Sequence, residues 1–265
     1  GGHSGISLST AMAISGAAAN PNMGYNSSPS VGFLMTLFNA RLGAWLGNTN
    51  RYGQQTYRRN GPHQALWPLF AELFGMTHAD GSYINLSDGG HFDNLGLYEV
   101  VLRRCRNVLF SDAGCDGKAS FEDLGNAIRK IRIDFGISID FTRQIEIRSN
   151  DENKPGLCCA VASINYKQAD GSHVTNGTLI YIKATKHAGG APLPYDVYSY
   201  SKASQSFPHE STGDQWFSES QFESYPGLGR HTAAQILGAE AIGGFGDLFA
   251  RAEKYVAPPV VVTHV

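Results

Sequence analysis

The chain has 265 residues, of which 42% are hydrophobic and 17% are charged, and its formal net charge is −2. This length is sufficient for one large hydrophobic core or two modest ones, and the balance of residue types is that of a globular protein. The chain has no basic field to hold a phosphate backbone, which argues against nucleic acid as a partner.

Cysteine usage and the first residues bear on localisation. The four cysteines fit no CxxC metal-site spacing and are interpreted as free thiols in a reducing compartment. The sequence begins with Gly1 and shows no signal peptide, so we expect a piece of a longer polypeptide whose N-terminal part is missing. We predict a cytoplasmic protein that can contact a membrane peripherally.

Two helices are predicted ahead of the first strand. The first, Ser7 to Asn20, is rich in small residues and has a cap at Ser7. The second opens at Ser28-Pro29 and continues to Leu46, with apolar residues nearly all round it. Such a helix is either buried or in contact with lipid, and its polar Asn39 and Arg41 argue against a transmembrane span.

The stretch YINLSDGGHFDNLGLYEVVLRRC, residues 83–105, runs an alternating strand into an aspartate, two glycines and then a helix. Gly89 and Gly90 permit positive φ and close approach of a substrate. Asn94 is a candidate cap for the helix that follows. Asp88 is therefore predicted at the C-terminal end of a strand, where open α/β sheets bind ligands.

Strands and helices alternate through the rest of the chain, which favours an α/β fold. Ser120 to Phe135 has the clearest helical stripe, with Ser120 as its predicted cap. Thr212 and Ser218 are two further candidate caps. The other predicted elements are a helix at Gln64–Phe74, strands at Asn107–Phe110, Ile137–Ile147, Leu157–Tyr166 and Thr178–Thr185, an extended segment at Pro192–Arg230 and a helical region at Ala233–Lys254. The last two strands are predicted to form a hairpin through Asp170-Gly171.

Asp88 is the leading candidate for chemistry, because a fixed carboxylate can act as a general base. Asp-Gly is also a common turn pair, so an ordinary turn is the competing interpretation. His91 could assist proton transfer, and Asp88, His91 and Asp93 could together ligate a metal, although a matching distant ligand set is absent. Asp112 and Asp116 in SDAGCDG lack the spacing of a calcium loop and are interpreted as a turn. The sequence contains no GxSxG elbow, P-loop or dinucleotide fingerprint.

The segment SDGGHFDNLGLYE resembles the aspartate motif of patatin-like phospholipases, in which a DGG or DGA triplet follows a strand. Upstream of it, AISGAAANPNMGY is similar to the small-residue segment between nucleophile and aspartate in that family. The segments LSTAMAISGAAANPNMGYNSSP, DAGCDG and FPHESTGDQWFSESQFESY resemble a bacterial patatin-like group. These segments are spread along the chain from residue 8 to residue 225.

The resemblance implies a three-layer α/β/α sandwich that is incomplete at its N-terminus. Residues 1–135 would be the aspartate-motif core, and residues 136–265 would be the sheet hairpin and C-terminal helical extension of the same domain. The implied activity is lipid degradation, in which a Ser–Asp dyad hydrolyses a phospholipid or another acyl-ester lipid. Only the aspartate carries over, to Asp88, with Gly89, Gly90 and Asn94 as supporting residues, and no cofactor or metal is implied.

The sequence also allows a second class of function. The serine and the glycine-rich oxyanion loop of the family are not in this sequence. A non-catalytic lipid-binding or scaffold protein that retains the patatin-like fold would share every feature above. An upstream GxSxG and a glycine-rich loop in the full-length sequence would favour the enzyme, and their absence would favour the scaffold.

Overall fold

The computed structural model describes residues 6–21, 28–38, 42–64, 66–148, 155–166, 176–187, 190–211, 213–214 and 216–257. These residues form a mixture of helices and open sheets, which confirms the α/β character that the sequence predicts. The chain divides into two compact units, Gly1–Asn94 and Leu95–Val265.

The described part of the first unit contains three α-helices, two short 3₁₀ helices and one small sheet. The elements are α1 (Leu8–Ser15), α2 (Pro29–Leu37), β1 (Ala44–Gly47), α3 (Leu66–Leu73) and β2 (Tyr83–Leu86). The strands pair antiparallel, with Ala44 opposite Leu86 and Gly47 opposite Tyr83. The predicted cap of α1 is confirmed, because the Ser7 side chain accepts from the Thr10 backbone N–H at 3.1 Å, but the helix ends earlier than predicted, before Gly16.

The prediction of one helix from Ser28 to Leu46 is wrong in its second half. The helix ends at Leu37, and Ala44–Gly47 is the strand β1. Gly43 explains part of the change, since its φ of +105° leaves the helical region and a side chain there would meet the Leu86 carbonyl. The apolar residues of this stretch therefore belong to two elements, the helix α2 and the strand β1. Pairing with β2 determines that the second element is a strand.

The second unit is built on a four-stranded sheet. The elements are α4 (Leu97–Leu102), β3 (Asn107–Asp112), α5 (Glu122–Phe135), β4 (Ser138–Phe141), β5 (Cys159–Asn165), β6 (Gly177–Lys183), α6 (Tyr195–Ala203), α7 (Glu219–Leu237) and α8 (Phe245–Val256). The strand order is β3-β6-β5-β4, with β3 and β6 parallel and the other pairs antiparallel. The antiparallel pairing of β5 and β6 confirms the predicted hairpin strands, while the turn at Asp170-Gly171 lies outside the described residues.

Helices cover both faces of this sheet, because β5 and β6 alternate their side chains between two hydrophobic cores. Ala160, Ala162 and Ile164 pack in the core that contains Leu97 of α4 and Ile131 of α5. Cys159, Val161 and Ile180 pack in the other core, with Ile236 of α7 and with Phe249 and Ala252 of α8. This alternation is what a strand buried on both faces requires.

One helix start differs from the sequence prediction, one agrees, and one helix was not predicted. The helix α5 begins after Phe121, not at Ser120, because Asp116 accepts from the backbone N–H groups of both residues and holds the preceding turn. The helix α7 begins as predicted, where Ser218 accepts from the Gln221 backbone N–H at 3.2 Å. The candidate cap at Thr212 lies outside the described residues. The prediction of an extended segment at Pro192–Arg230 is wrong, because α6 and the first part of α7 lie within it.

The cysteines and the lengths of the helices were compared with the sequence predictions. All four cysteines are free, as predicted. Within the described ranges, the helices are too short or too polar for any of them to cross a bilayer.

Candidate functional site

The two oxygens of the Asp88 carboxylate differ in their hydrogen bonding. Asp88 follows β2 with φ −56° and ψ 129° and precedes a short 3₁₀ turn at Gly89–His91. Its Oδ1 accepts from the Gly90 backbone N–H at 2.8 Å. Among the residues that the structure describes, none donates a hydrogen bond to Asp88 Oδ2. One carboxylate oxygen is thus held by the backbone while the other can take a proton.

The segment that follows α1 holds this turn in place. The Asp88 backbone N–H donates to the Ala17 carbonyl at 3.4 Å. The His91 ring contacts the Ala18 carbonyl through Nε2 at 3.0 Å and the Ser87 hydroxyl through Nδ1 at 3.2 Å. Because a carbonyl only accepts, Nε2 donates to Ala18. The His91 ring therefore ties the Ser87 side chain to the segment after α1.

The two glycines after Asp88 have different roles, and the prediction of positive φ is wrong for both. Neither Gly89 nor Gly90 has a positive φ. A side chain at Gly90 would clash with the Asn94 Oδ1 atom and crowd the Asp88 carboxylate, whereas a side chain at Gly89 would meet nothing within 4 Å. Gly90 is required for close approach, and Gly89 leaves the space beside Asp88 open.

Asn94 supports the turn, but it does not cap the next helix. The helix α4 starts after Gly96, which has a φ of 70° and provides the change of direction. The Asn94 side chain instead lies against Gly90, on the side of the turn that faces the Asp88 carboxylate. The predicted supporting residues are therefore together in space, although the predicted cap is wrong.

The strand that carries Asp88 belongs to a two-stranded antiparallel sheet. In the described part of the chain β2 pairs only with β1, so the expectation of an open parallel sheet edge at Asp88 is wrong. A buried carboxylate on α3 joins the two strands of this sheet. Glu72 is 3% exposed and accepts from Trp45 Nε1 at 2.5 Å and from Asn85 Nδ2 at 2.8 Å.

Two cavities in this unit lie along the same strand. One has a volume of about 330 Å³ and reaches Ser87, the residue before Asp88, with Ile84 and Leu86 in its wall. The other has a volume of about 310 Å³ and is lined by large apolar side chains that include Trp45, Trp67 and Met76. Thr77 and His78 line both cavities, so the two share a wall.

Metal chemistry has little support in the residues that can be described. No three or more His, Cys, Asp or Glu side chains among them are grouped so as to hold a metal ion. This includes Asp88, His91 and Asp93, the three residues that the sequence offered as ligands.

The second strand-end aspartate, Asp112, is the centre of a buried polar cluster that sequence reasoning missed. It is 5% exposed, and its Oδ2 contacts Lys183 Nζ at 2.8 Å and the Tyr181 hydroxyl. Its Oδ1 accepts from the Gly114 backbone N–H at 2.8 Å. The interpretation of SDAGCDG as a turn is wrong for Ser111 and Asp112, which end β3, and residues 113–116 follow as a loop whose aspartates hold structure together. The alternation of Tyr181 and Lys183 on a buried strand was the signal that could have indicated a partner carboxylate.

The chain matches no protein-family model, no curated protein and no solved structure. The geometry of its own residues therefore carries the functional proposal.

Proposed function

We propose that this chain supplies the aspartate of a Ser–Asp dyad in a patatin-like lipid acyl hydrolase, with Asp88 as the general base. The observation that carries the proposal is the asymmetry of the Asp88 carboxylate. Gly90 donates to Oδ1, and among the described residues none donates a hydrogen bond to Oδ2. A base that works without a histidine must be placed in this way, because its own oxygen has to reach the serine hydroxyl at about 3 Å.

The proposed reaction has two steps with Asp88 acting in both. Asp88 Oδ2 takes the proton of a serine hydroxyl while the serine oxygen attacks the ester carbonyl, and the same carboxyl then protonates the departing alcohol. In the second step it takes a proton from water, which attacks the acyl-serine, and gives that proton to the departing serine oxygen as the fatty acid is released. The serine, on a GxSxG elbow, and the backbone donors for the oxyanion lie outside this sequence in the proposal.

The open side of the Asp88 turn is suited to a bulky ester. Gly89 presents no side chain and has empty space around its Cα. The neighbouring cavity lined by Trp45, Trp67 and Met76 offers a place for part of an acyl chain within the same unit. A phospholipid or another acyl-ester lipid is therefore the proposed substrate class. The helices on both faces of the four-stranded sheet are compatible with the α/β/α sandwich of such enzymes.

We extend the proposal to peripheral contact with a bilayer. The helix α2 and its end expose Phe33, Leu34, Leu37 and Phe38, whose exposed fractions are 50, 50, 64 and 75%. The helix α3 exposes Trp67 and Phe70 in addition. Neighbouring apolar side chains on a helix surface insert into the headgroup region of a bilayer, and a lipid hydrolase needs access to its substrate there.

A non-catalytic lipid-binding or scaffold protein is the second candidate. The observation that favours it is the lack of a GxSxG serine in this sequence. Such a protein would keep the Asp88 turn for its structure only. The two candidates differ in what they predict for a conservative change at Asp88.

The test is Asp88→Asn in the full-length polypeptide, with Asp80→Asn as the control. Asparagine keeps the size of the side chain but cannot accept the serine proton, so turnover of a phospholipid should fall by about three or more powers of ten. Asp80 is an exposed turn aspartate of the same unit, and its variant should keep wild-type turnover. Equal activity of the two variants at equal thermal stability would remove Asp88 from the mechanism.

The 265-residue chain provides a further check by itself. It should show no turnover of a short-chain nitrophenyl ester above buffer, because a base without a nucleophile and oxyanion donors lacks the largest catalytic contributions. Clear turnover would contradict the assignment of the serine to a segment outside this sequence.

A further inference from the structure

The arginine loop, residues 51–59, lies between β1 and α3 and carries a concentration of positive charge. The first 71 residues of the sequence contain four arginines and no lysine, aspartate or glutamate, and three of those arginines, Arg51, Arg58 and Arg59, belong to this loop. All three are exposed. The surface of a soluble protein usually intersperses charges of both signs, so this asymmetry points to an anionic partner.

The backbone of the arginine loop is held against the end of β1. A side chain at Gly47 would overlap the Thr56 carbonyl, and a side chain at Gly53 would overlap the Asn48 carbonyl, so the chain packs closely at both points. The Asn48 side chain also donates to the Ala79 carbonyl at 2.8 Å. The loop therefore presents its arginines from a fixed backbone, which reduces the entropy that a ligand has to offset on binding.

Each of the three guanidinium groups has a tyrosine hydroxyl as its partner. The donor and acceptor pairs are Arg51 Nη2 with Tyr52 at 2.7 Å, Arg58 Nε with Tyr57 at 2.7 Å and Arg59 Nη1 with Tyr83 at 3.3 Å. A guanidinium has several N–H donors and a tyrosine hydroxyl carries no charge, so these contacts leave the positive charges and most of the donors unused. Among the described residues, no carboxylate forms an ion pair with any of the three arginines.

The four acidic residues of the first unit do not neutralise this loop. Glu72 is buried in α3, and two others follow β2. Asp80 lies beside the start of the loop, because the neighbouring Ala79 carbonyl accepts from the Asn50 side chain at 3.0 Å, but it pairs with none of the three arginines in the part of the chain that the structure describes. The guanidinium groups are therefore available to an external anion, and their planar donors suit phosphate.

Exposed aromatic and apolar side chains continue from this loop within the same unit. Tyr83, the partner of Arg59, lines the cavity that also includes Trp67 of α3. Trp67 is 63% exposed, and Phe70, one turn further along α3, is 51% exposed. The rings of the two loop tyrosines are exposed as well. Basic groups beside exposed aromatic and apolar side chains are the features with which a protein surface binds an anionic bilayer.

We propose that the arginine loop binds the phosphate groups of anionic phospholipids at a bilayer surface. The three guanidinium groups contact the phosphates, the loop tyrosines lie at the level of the headgroups, and the exposed face of α3 enters the acyl region. A bilayer fits better than nucleic acid, because three arginines neutralise fewer phosphates than the roughly six to ten that a typical DNA-binding protein contacts. This lipid preference rests on the bilayer contact proposed above, but ester hydrolysis is not required for it.

Sedimentation of the 265-residue chain with two kinds of vesicle tests the preference. One kind is phosphatidylcholine alone, and the other is about 70% phosphatidylcholine with about 30% phosphatidylglycerol. We expect at least about tenfold tighter binding to the mixed vesicles, since each arginine near an anionic surface contributes roughly fivefold, and we expect about 1 M salt to remove the difference. Equal binding to both kinds would overturn the anionic preference and leave the bilayer contact intact, whereas no binding to either would contradict both.

A triple variant locates the preference in the loop. Arg51→Gln with Arg58→Gln and Arg59→Gln should bind both kinds of vesicle within about twofold of each other, because the charges that distinguish the two lipids are gone. Its binding to phosphatidylcholine alone should stay within about twofold of wild type, since the exposed face of α3 is unchanged. If the triple variant does not fold, Arg58→Gln alone should cost roughly fivefold of the preference, and an unchanged preference would overturn the proposal.

The matched control changes the net charge by the same amount elsewhere. Arg106→Gln with Arg132→Gln and Arg230→Gln removes three exposed arginines of the second unit and should keep the wild-type preference for the mixed vesicles. Equal loss of the preference in the two triple variants would show that overall charge, and not the arginine loop, attracts the bilayer.

Fluorescence anisotropy with a labelled single-stranded oligonucleotide covers the competing partner. We expect no binding at physiological salt, because the loop has too few charges to hold a phosphate backbone. Oligonucleotide binding that the loop variant abolishes and the control variant keeps would assign the arginine loop to nucleic acid and overturn the proposal.

Discussion

Asp112 and Lys183 occupy opposite positions at the ends of two parallel strands, and their charged groups lie 2.8 Å apart where both residues are almost fully buried. Tyr181, two residues earlier on β6, donates to the same carboxylate oxygen. Burial, followed by this hydrogen bond to Asp112, raises the pKa of Tyr181, so the hydroxyl keeps its proton. The pair closes the end of the sheet and satisfies a charge that would otherwise be buried alone.

Removal of either member of this pair should destabilise the second unit strongly. Asp112→Asn and Lys183→Met should each lower the free energy of unfolding by about 3–5 kcal/mol, because the remaining charge is buried without its partner. The double variant should lose much less than the sum of the two losses. Urea denaturation measures all three.

The control for these variants is Glu223→Gln, an exposed carboxyl on α7, which should unfold within about 0.5 kcal/mol of wild type. Additive losses in the double variant would show that the two side chains do not act as a pair. For the same reason Asp112→Asn is unsuitable as a catalytic control for Asp88, since its effect on folding would hide its effect on turnover.

The glycines after Asp88 give a second prediction. Gly90→Ala should cost about 1–3 kcal/mol of stability in the first unit, because its methyl group overlaps the Asn94 side chain. Gly89→Ala is the matched control, and it should be neutral because the space at Gly89 is open. Thermal unfolding of both variants checks the difference.

A second change tests the cause. Asn94→Ala should restore most of the stability that Gly90→Ala loses, since it removes the overlapping atoms. If Gly90→Ala is as stable as Gly89→Ala, the close approach at Gly90 is not a constraint. In the full-length polypeptide, Gly90→Ala should also lower turnover, because it moves the backbone N–H that holds Asp88.

Glu210 provides a pH-dependent prediction in the second unit. Burial alone would raise the pKa of this carboxyl, but hydrogen bonds from Ser204, Tyr200, Tyr225 and Gln221 outweigh it and lower the pKa. The donors come from α6, α7 and the segment between them, so the carboxylate links two helices.

The sign of the effect follows from the lowered pKa. The stabilisation is complete above the ordinary carboxyl pKa of about 4.3 and is lost as the pH falls through the lower folded-state value. Glu210→Gln should therefore be less stable than wild type at pH 7, by about 1–2 kcal/mol after allowance for solvent exposure, and the gap should close in acid. A gap that stays constant from pH 7 to about pH 3 would contradict the link to ionisation.

The exposed face of α2 gives the last prediction. Phe33→Ser combined with Phe38→Ser should reduce sedimentation of the protein with phosphatidylcholine vesicles by about tenfold or more, because two large apolar side chains no longer enter the bilayer. Leu102→Ser with Ile133→Ser, two exposed apolar residues of the second unit, is the control and should sediment as wild type does. Equal sedimentation of the two double variants would exclude α2 as the contact.

Local patterns in the sequence were sufficient for the elements that depend on neighbouring residues. The stripe of α5, the strand that leads to Asp88, the cap at Ser218 and the two strands of the β5–β6 hairpin are all present where the periodicity predicts them. The position of Asp88 at the end of a strand followed in the same way. Each of these features is encoded within a few turns or one strand, so no distant partner is needed to specify it.

Tertiary structure decided the features that depend on distant pairing. Residues 44–47 became a strand because β2 offered hydrogen-bond partners, although their apolar pattern suits a helix equally well. From the sequence alone, Asp112 is interpreted as a turn residue. Only the register of β3 and β6 places Lys183 opposite it. The need for Gly90 arises from the Asn94 side chain, and the cavity beside α7 arises where segments after β6 meet that helix. Contacts of this kind join residues far apart in the chain, and only the folded backbone brings them together.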